Sequence, residues 1–111
     1  MKQQPAPSYL PHQVLGLVAL MAFAGPAFAN KALAEKQGCL GCHATATKLV
    51  GPAFLEVAAK YAGDAGAVAA LSQSIRNGGT GKWGDMPMPP QKQVSEADTK
   101  KLTRWILDGA K

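Results

Sequence analysis

Two cysteines three positions apart, Cys39 and Cys42, with His43 directly after them, constrain this chain more than anything else in it. They are the only cysteines in 111 residues. A zinc site wants four ligands, and the soft and imidazole donors beyond these three reduce to His12, which falls in an N-terminal leader. A thioredoxin-like dithiol wants a βαβ setting, and no segment reads as a strand. A disulfide across so short a loop stabilises little and leaves His43 without a purpose. The spacing instead matches covalent haem attachment. Each thiol adds to one vinyl group of the porphyrin, and the adjacent His43 is carried under the iron, where a neutral imidazole nitrogen binds axially.

The leader is read from the first 29 residues. Lys2 supplies a charged start, Val14–Ala24 is an unbroken apolar or small-residue run, and Ala27-Phe28-Ala29 closes it with a small-x-small signature. That pattern describes a secretory signal peptide cleaved after Ala29. As a retained anchor the run is too short: eleven residues at about 1.5 Å each cover about half of a ~30 Å hydrocarbon core. Export predicts a periplasmic protein with no stable membrane insertion. The mature chain, 30–111, is a single domain of 82 residues. Its aromatics are Phe54, Tyr61, Trp83 and Trp105 alone, so a cofactor that doubles as core and staple suits a chain of this size.

Loss of Lys2 leaves 11 basic against 7 acidic side chains, about +4 on the mature polypeptide. The basic residues are scattered and not interleaved with a run of aromatics, which argues against nucleic acid. They bias encounter toward acidic partner proteins.

Periodicity predicts four helices and an all-α fold. Asn30 can cap a first helix to about Gln37, anchored by Leu33. Pro52 fits the first turn of a second, on which Phe54, Val57, Ala58 and Tyr61 share one face. A third spans about Ala67 to Arg76, with Val68, Leu71 and Ile75 on one side, and stops at Asn77-Gly78-Gly79. Residues 80–93 form a loop broken by glycines and by Met86-Pro87-Met88-Pro89-Pro90. Ser95-Glu96-Ala97-Asp98 resembles a capping box with Asp in the place of Glu or Gln. The final helix buries Leu102, Trp105 and Ile106. The long loops need something to wrap around.

With His12 gone, a bis-histidine haem cannot be built from this chain. Met86 and Met88 are the remaining donors for the far side of the iron. Methionine is ordinarily a core filler, but both lie in a proline-rich loop. Met88, between Pro87 and Pro89, is the more constrained and loses less entropy on ligation. That favours Met88 without excluding Met86.

Taken together, Gly38-Cys39-Leu40-Gly41-Cys42-His43, Leu49-Val50-Gly51-Pro52-Ala53, Lys82-Trp83-Gly84, Pro87-Met88-Pro89-Pro90 and the tryptophan-bearing last helix resemble the small bacterial class I cytochromes c, of the c-551/c-552 type. The resemblance spans nearly all of 30–111. It implies one covalent haem c held by Cys39 and Cys42, with His43 and Met88 as axial ligands. It also implies that the Pro52 carbonyl accepts from the far nitrogen of the histidine, and that Trp83 donates its indole N–H to a haem propionate. Two positions depart from many relatives: Gln91 stands where Asn is common, and Ser74 where some carry a basic residue.

Two strong ligands would leave no open iron position, and no carboxylate pair or spare histidine suggests catalysis. The reading is therefore a single-electron carrier and not an enzyme. If Met88 were unbound, the alternative is a five-coordinate haem that binds small gases or acts as a peroxidase. Leu40, Leu49, Val50, Pro89 and Pro90 are expected to rim the haem edge, with Lys36, Lys48, Lys82 and Lys92 around them. A quinol-oxidising complex, a nitrite reductase or a terminal oxidase are the redox partners the resemblance implies for a monomeric carrier.

Overall fold

The computed structural model describes residues 2–9 and 26–111, with side chains from Asn30 onward in the second segment. The apolar run Val14–Ala24, on which the leader expectation rests, lies outside the described residues. Among the described residues four helices follow one another: α1 Pro26–Lys36, α2 Phe54–Lys60, α3 Ala67–Asn77 and α4 Glu96–Leu107, with a single 3-10 turn at Cys39–Gly41. Among the described residues no strand forms beyond one isolated antiparallel bridge, Gly79 to Met88. The all-α expectation holds.

The last helix, α4, is the hub against which α1, α2 and α3 all pack. Ser95 caps it, its hydroxyl accepting from the Asp98 N–H at 3.1 Å. The reciprocal arm of the expected capping box does not form. Asp98, one methylene shorter than Glu, pairs instead with Lys101 at 3.3 Å. The buried stripe of α4 includes Leu102, Trp105 and Ile106 as expected, and two threonines that hydrophobic periodicity passes over, Thr99 and Thr103. Their hydroxyls are satisfied locally: Thr99 donates to the Ser95 carbonyl at 2.8 Å, and Thr103 shares a 3.1 Å hydrogen bond with Ser72 on α3. A buried hydroxyl without a partner would cost about 1–3 kcal/mol.

Helix boundaries differ from the sequence reading at two places. The first helix starts, in the uncleaved chain, at Pro26, a residue suited to an opening turn and four positions ahead of Asn30. Ala34, fully buried, packs against the core, while Leu33 is only partly covered. Second, α2 opens at Phe54 and leaves Pro52 outside the helix, ahead of the extended Ala53. Its first N–H groups are taken by the preceding loop: Phe54 N–H donates to the Ala44 carbonyl at 2.9 Å and Leu55 N–H to Thr45 at 3.0 Å. The Glu56 carboxylate accepts from the Ala53 N–H at 2.8 Å. Backbone thus does the capping that no side chain at position 53 could do.

The third helix ends where glycine becomes obligatory. Gly78 has φ 68° and ψ −164°, a region essentially closed to other residues. A Cβ there would also collide with the Met88 carbonyl oxygen and lie 2.8 Å from the Pro90 nitrogen. Gly78→Ala should therefore lower stability by about 2 kcal/mol or more. Guanidinium denaturation of the haem-loaded protein checks it, and a loss below about 0.5 kcal/mol would contradict the close packing of the two segments.

Candidate functional site

The local fold at the cysteines begins with Gly38 in the left-handed region, φ 79°. It turns the chain into one 3-10 turn in which the Cys42 and His43 N–H groups both donate to the Cys39 carbonyl, at 3.2 and 3.0 Å. The turn separates the thiols. Cys39 is half-buried against the core and Cys42 is exposed, and neither is bonded to the other. Burial pushes the Cys39 thiol above its ordinary value, opposed in part by a backbone hydrogen bond to its own sulfur.

The chain then doubles back on His43. Gly51 N–H donates to the Cys42 carbonyl at 2.8 Å, which brings Pro52 level with the imidazole. His43 Nδ1 lies 2.8 Å from the Pro52 oxygen. A carbonyl can only accept, so Nδ1 carries a proton, and in the neutral ring Nε2 keeps its lone pair. The ring is steadied from one side by Phe54, stacked at 5.3 Å with planes 18° apart. Phe54 in turn meets Trp105 edge-on at 5.4 Å and 64°, which ties the imidazole to the hub helix. Gly51 faces the same ring so closely that a Cβ would lie 2.8 Å from Nδ1.

The methionine loop returns to the same place from the other end of the sequence. Met88 N–H donates to the Gly79 carbonyl at 2.8 Å, and Gly79 N–H to the Met88 carbonyl at 3.1 Å. The bridge pins Met88 to the end of α3, half-buried against the core. Met86 faces the same cavity but is 65% exposed. Gln91 donates its side-chain amide to the Pro89 carbonyl at 2.9 Å and its backbone N–H to Ile75 at 3.0 Å. Ser74 donates to the Ala70 carbonyl one turn back, at 3.1 Å.

These pieces surround one cavity of about 350 Å³. Cys39, Cys42, His43, Pro52, Trp83 and Met88 all line it, with Phe54, Val57, Leu71, Ile75, Leu102 and Ile106 from three helices. Trp83 is half-buried, with the Lys60 ammonium 4.6 Å above its ring. Of the residues expected at the rim, Leu49 and Val50 are about half exposed, and Pro89 and Pro90 are exposed. Leu40 instead packs partly against the core. Lys82 is tied to the Tyr61 hydroxyl at 2.7 Å and Lys92 to Asn77 at 2.8 Å.

Sequence reasoning missed three contributors: the Phe54 ring as a support for His43, Gly51 as the glycine that admits that ring, and Gly79 as the partner of Met88. Gly51 directly before Pro52 was the available signal for the second. The others depend on contacts between distant segments.

The donor set fits a covalently held haem. Two unpaired thiols stand beside an imidazole whose tautomer leaves Nε2 free, at the mouth of an apolar space that the helices enclose and do not fill. Such an architecture defines an all-α haem c protein. A family model described as Cytochrome c matches residues 29–110. Cytochrome c-552 of Hydrogenobacter thermophilus is 50% identical over 91 residues, covering 82% of this chain and 92% of that protein. Cytochrome c-551 of Pseudomonas aeruginosa is 46% identical over 100 residues, covering 87% and 95%. The crystal structure of Nitrosomonas europaea cytochrome c552 superposes with a TM-score of 0.69 at 47% identity, covering 70% of this chain and 96% of that one. The chain belongs to the cytochrome c family, among the class I proteins of the c-551/c-552 type, and is a haem c electron carrier.

The packing of Gly51 on His43 makes a prediction. Gly51→Ala should destabilise the haem-loaded protein by about 1–3 kcal/mol through overpacking of the ring. Pro52→Ala, which keeps the accepting carbonyl, should cost less. Thermal unfolding followed in the visible region ranks the two, and the reverse order would contradict this geometry.

Proposed function

We propose that this chain is a periplasmic single-electron carrier, exported by a leader cleaved after Ala29, whose mature domain 30–111 binds one haem c through Cys39 and Cys42 with His43 and Met88 as axial ligands. The observation that carries the reading is the meeting of two thiols, one imidazole and the half-buried Met88 thioether, drawn from two ends of the domain, on a single apolar cavity. When bound, haem supplies a one-electron Fe(II)/Fe(III) couple, with methionine as a ligand that raises its potential.

The residues of the chain do the rest. His43 presents Nε2 because Pro52 holds the proton on Nδ1, and that hydrogen bond orients the ring and makes it a better donor. Met88 is favoured over Met86 because it is bridged to Gly79 and half-buried, whereas Met86 is largely in solvent. Its restraint lowers the entropy lost on ligation. Two permanent ligands suit electron carriage over catalysis, and they count against the five-coordinate alternative. Trp83, on the cavity wall, is the candidate donor to a propionate. No helix among the described residues is long and apolar enough to cross a membrane.

Leu49, Val50, Pro89 and Pro90 form the apolar contact through which a partner approaches, and Lys36 and Lys48 steer partners that are acidic at their docking surface. A quinol-oxidising complex, a nitrite reductase or a terminal oxidase would each fit a monomeric carrier of this kind.

Two experiments test this. In oxidised Met88→Ala the weak long-wavelength methionine–iron band should vanish and the potential should fall, while Met86→Ala keeps both. Loss of the band in Met86→Ala and its survival in Met88→Ala would reverse the ligand assignment. For docking, Lys36→Glu with Lys48→Glu should slow electron transfer to an acidic partner about tenfold at low ionic strength and flatten its salt dependence. Unchanged salt dependence in stopped-flow traces would remove the steering role.

A further inference from the structure

One cluster on the cavity wall has no part in holding the iron ligands. At the end of α2 the Lys82 ammonium donates to the Tyr61 hydroxyl oxygen at 2.7 Å and lies 5.3 Å from the centroid of the same ring. Lys60, the residue before Tyr61, reaches the Lys82 carbonyl at 3.3 Å and covers Trp83 at 4.6 Å. Tyr61, Lys82 and Trp83 all line the cavity. Two cations are thus drawn onto one short stretch of loop by aromatic faces and neutral oxygens, with no carboxylate among these contacts.

Like charges gathered in this way repel one another, and an anion in the cavity would offset that cost. The donor inventory points the same way. Tyr61 is only 8% exposed, and since its oxygen accepts from Lys82, its own O–H remains to donate. Lys82 has two further N–H bonds, and Trp83 has an indole N–H with no acceptor capacity. Such a row of donors recognises a carboxylate, and haem c carries two as its propionates.

We propose that Lys82, seated on Tyr61, fixes a positive charge beside the acidic edge of the haem and so raises its reduction potential. The proposal rests on the carrier reading above. Reduction adds one electron to the iron, so a nearby positive charge favours the reduced form. The Tyr61 seat matters because a free lysine would spread its charge over many rotamers in solvent. Lys60, by holding the Lys82 backbone and the Trp83 ring, keeps the stretch in place. Lys82 is exposed at its surface side, so its field is partly screened and weakens with salt.

The test is spectroelectrochemical titration of the haem-loaded protein at low ionic strength. Lys82→Gln should shift the reduction equilibrium toward the oxidised form by about two- to fivefold. Tyr61→Phe, which keeps the charge and removes its seat, should shift it the same way by less. Lys31→Gln, an exposed residue of α1 with the same charge change, should stay within error of wild type. A Lys82→Gln shift absent or no larger than that of Lys31→Gln overturns the proposal. If the methionine–iron band is missing from the wild-type protein, the axial-ligand reading itself fails. If the band is intact and Lys82→Gln is silent, only the role of Lys82 falls.

Discussion

The hydrogen bond from His43 Nδ1 to the Pro52 carbonyl is the contact on which the rest of the site depends. It is one bond of 2.8 Å, worth about 1 kcal/mol in net stability, yet it decides which imidazole nitrogen is available. It exists because the chain doubles back through Gly51, whose N–H is held by Cys42. The same reversal brings Ala44 and Thr45 onto the open N-terminus of α2. Ring orientation, tautomer and the start of a helix are therefore settled by one fold of backbone.

From there the imidazole is tied into the body of the molecule through aromatic rings. Phe54 stacks on His43 and meets Trp105 edge-on, and α4, which carries Trp105, receives the other three helices. Aromatic pairs of this kind add about 0.5–1.5 kcal/mol beyond the area they bury. The ligand proposed for the far side is held differently. Met88 lies in a loop, and its position comes from prolines that restrict that loop and from two backbone hydrogen bonds to Gly79. A rigid wall on the histidine side and a strap on the methionine side together enclose the space. Its apolar lining stands where a protein of this length would otherwise need a closed core.

Much of this was legible in the amino-acid order. The helices on which Phe54, Val57 and Tyr61, or Leu71 and Ile75, recur at helical spacing lie close to their expected places, because burial of one face follows directly from that period. The expectations that slipped were local competitions. Pro52 suits a helix start, but its carbonyl is engaged by a side chain nine residues away, so the helix opens two residues later. Asp98 was expected to complete a capping box, but it is too short to reach back and pairs with Lys101. Thr99 and Thr103 carry hydroxyls that a hydropathy count excludes from a core, and only their neighbours on α3 and in the preceding turn make burial possible.

The sequence by itself determined the chemistry: two thiols and an imidazole at an unambiguous spacing, a thioether confined by prolines, and too few aromatics to fill a core unaided. These follow from covalent order and from the properties of single residues. Tertiary structure decided which nitrogen of His43 is engaged by the Pro52 carbonyl, why Gly51 and Gly78 must be glycine, and that Lys82 rests on Tyr61 instead of standing free at the rim. Each of those depends on segments far apart in the chain approaching within hydrogen-bond or van der Waals distance. No local pattern encodes such an approach.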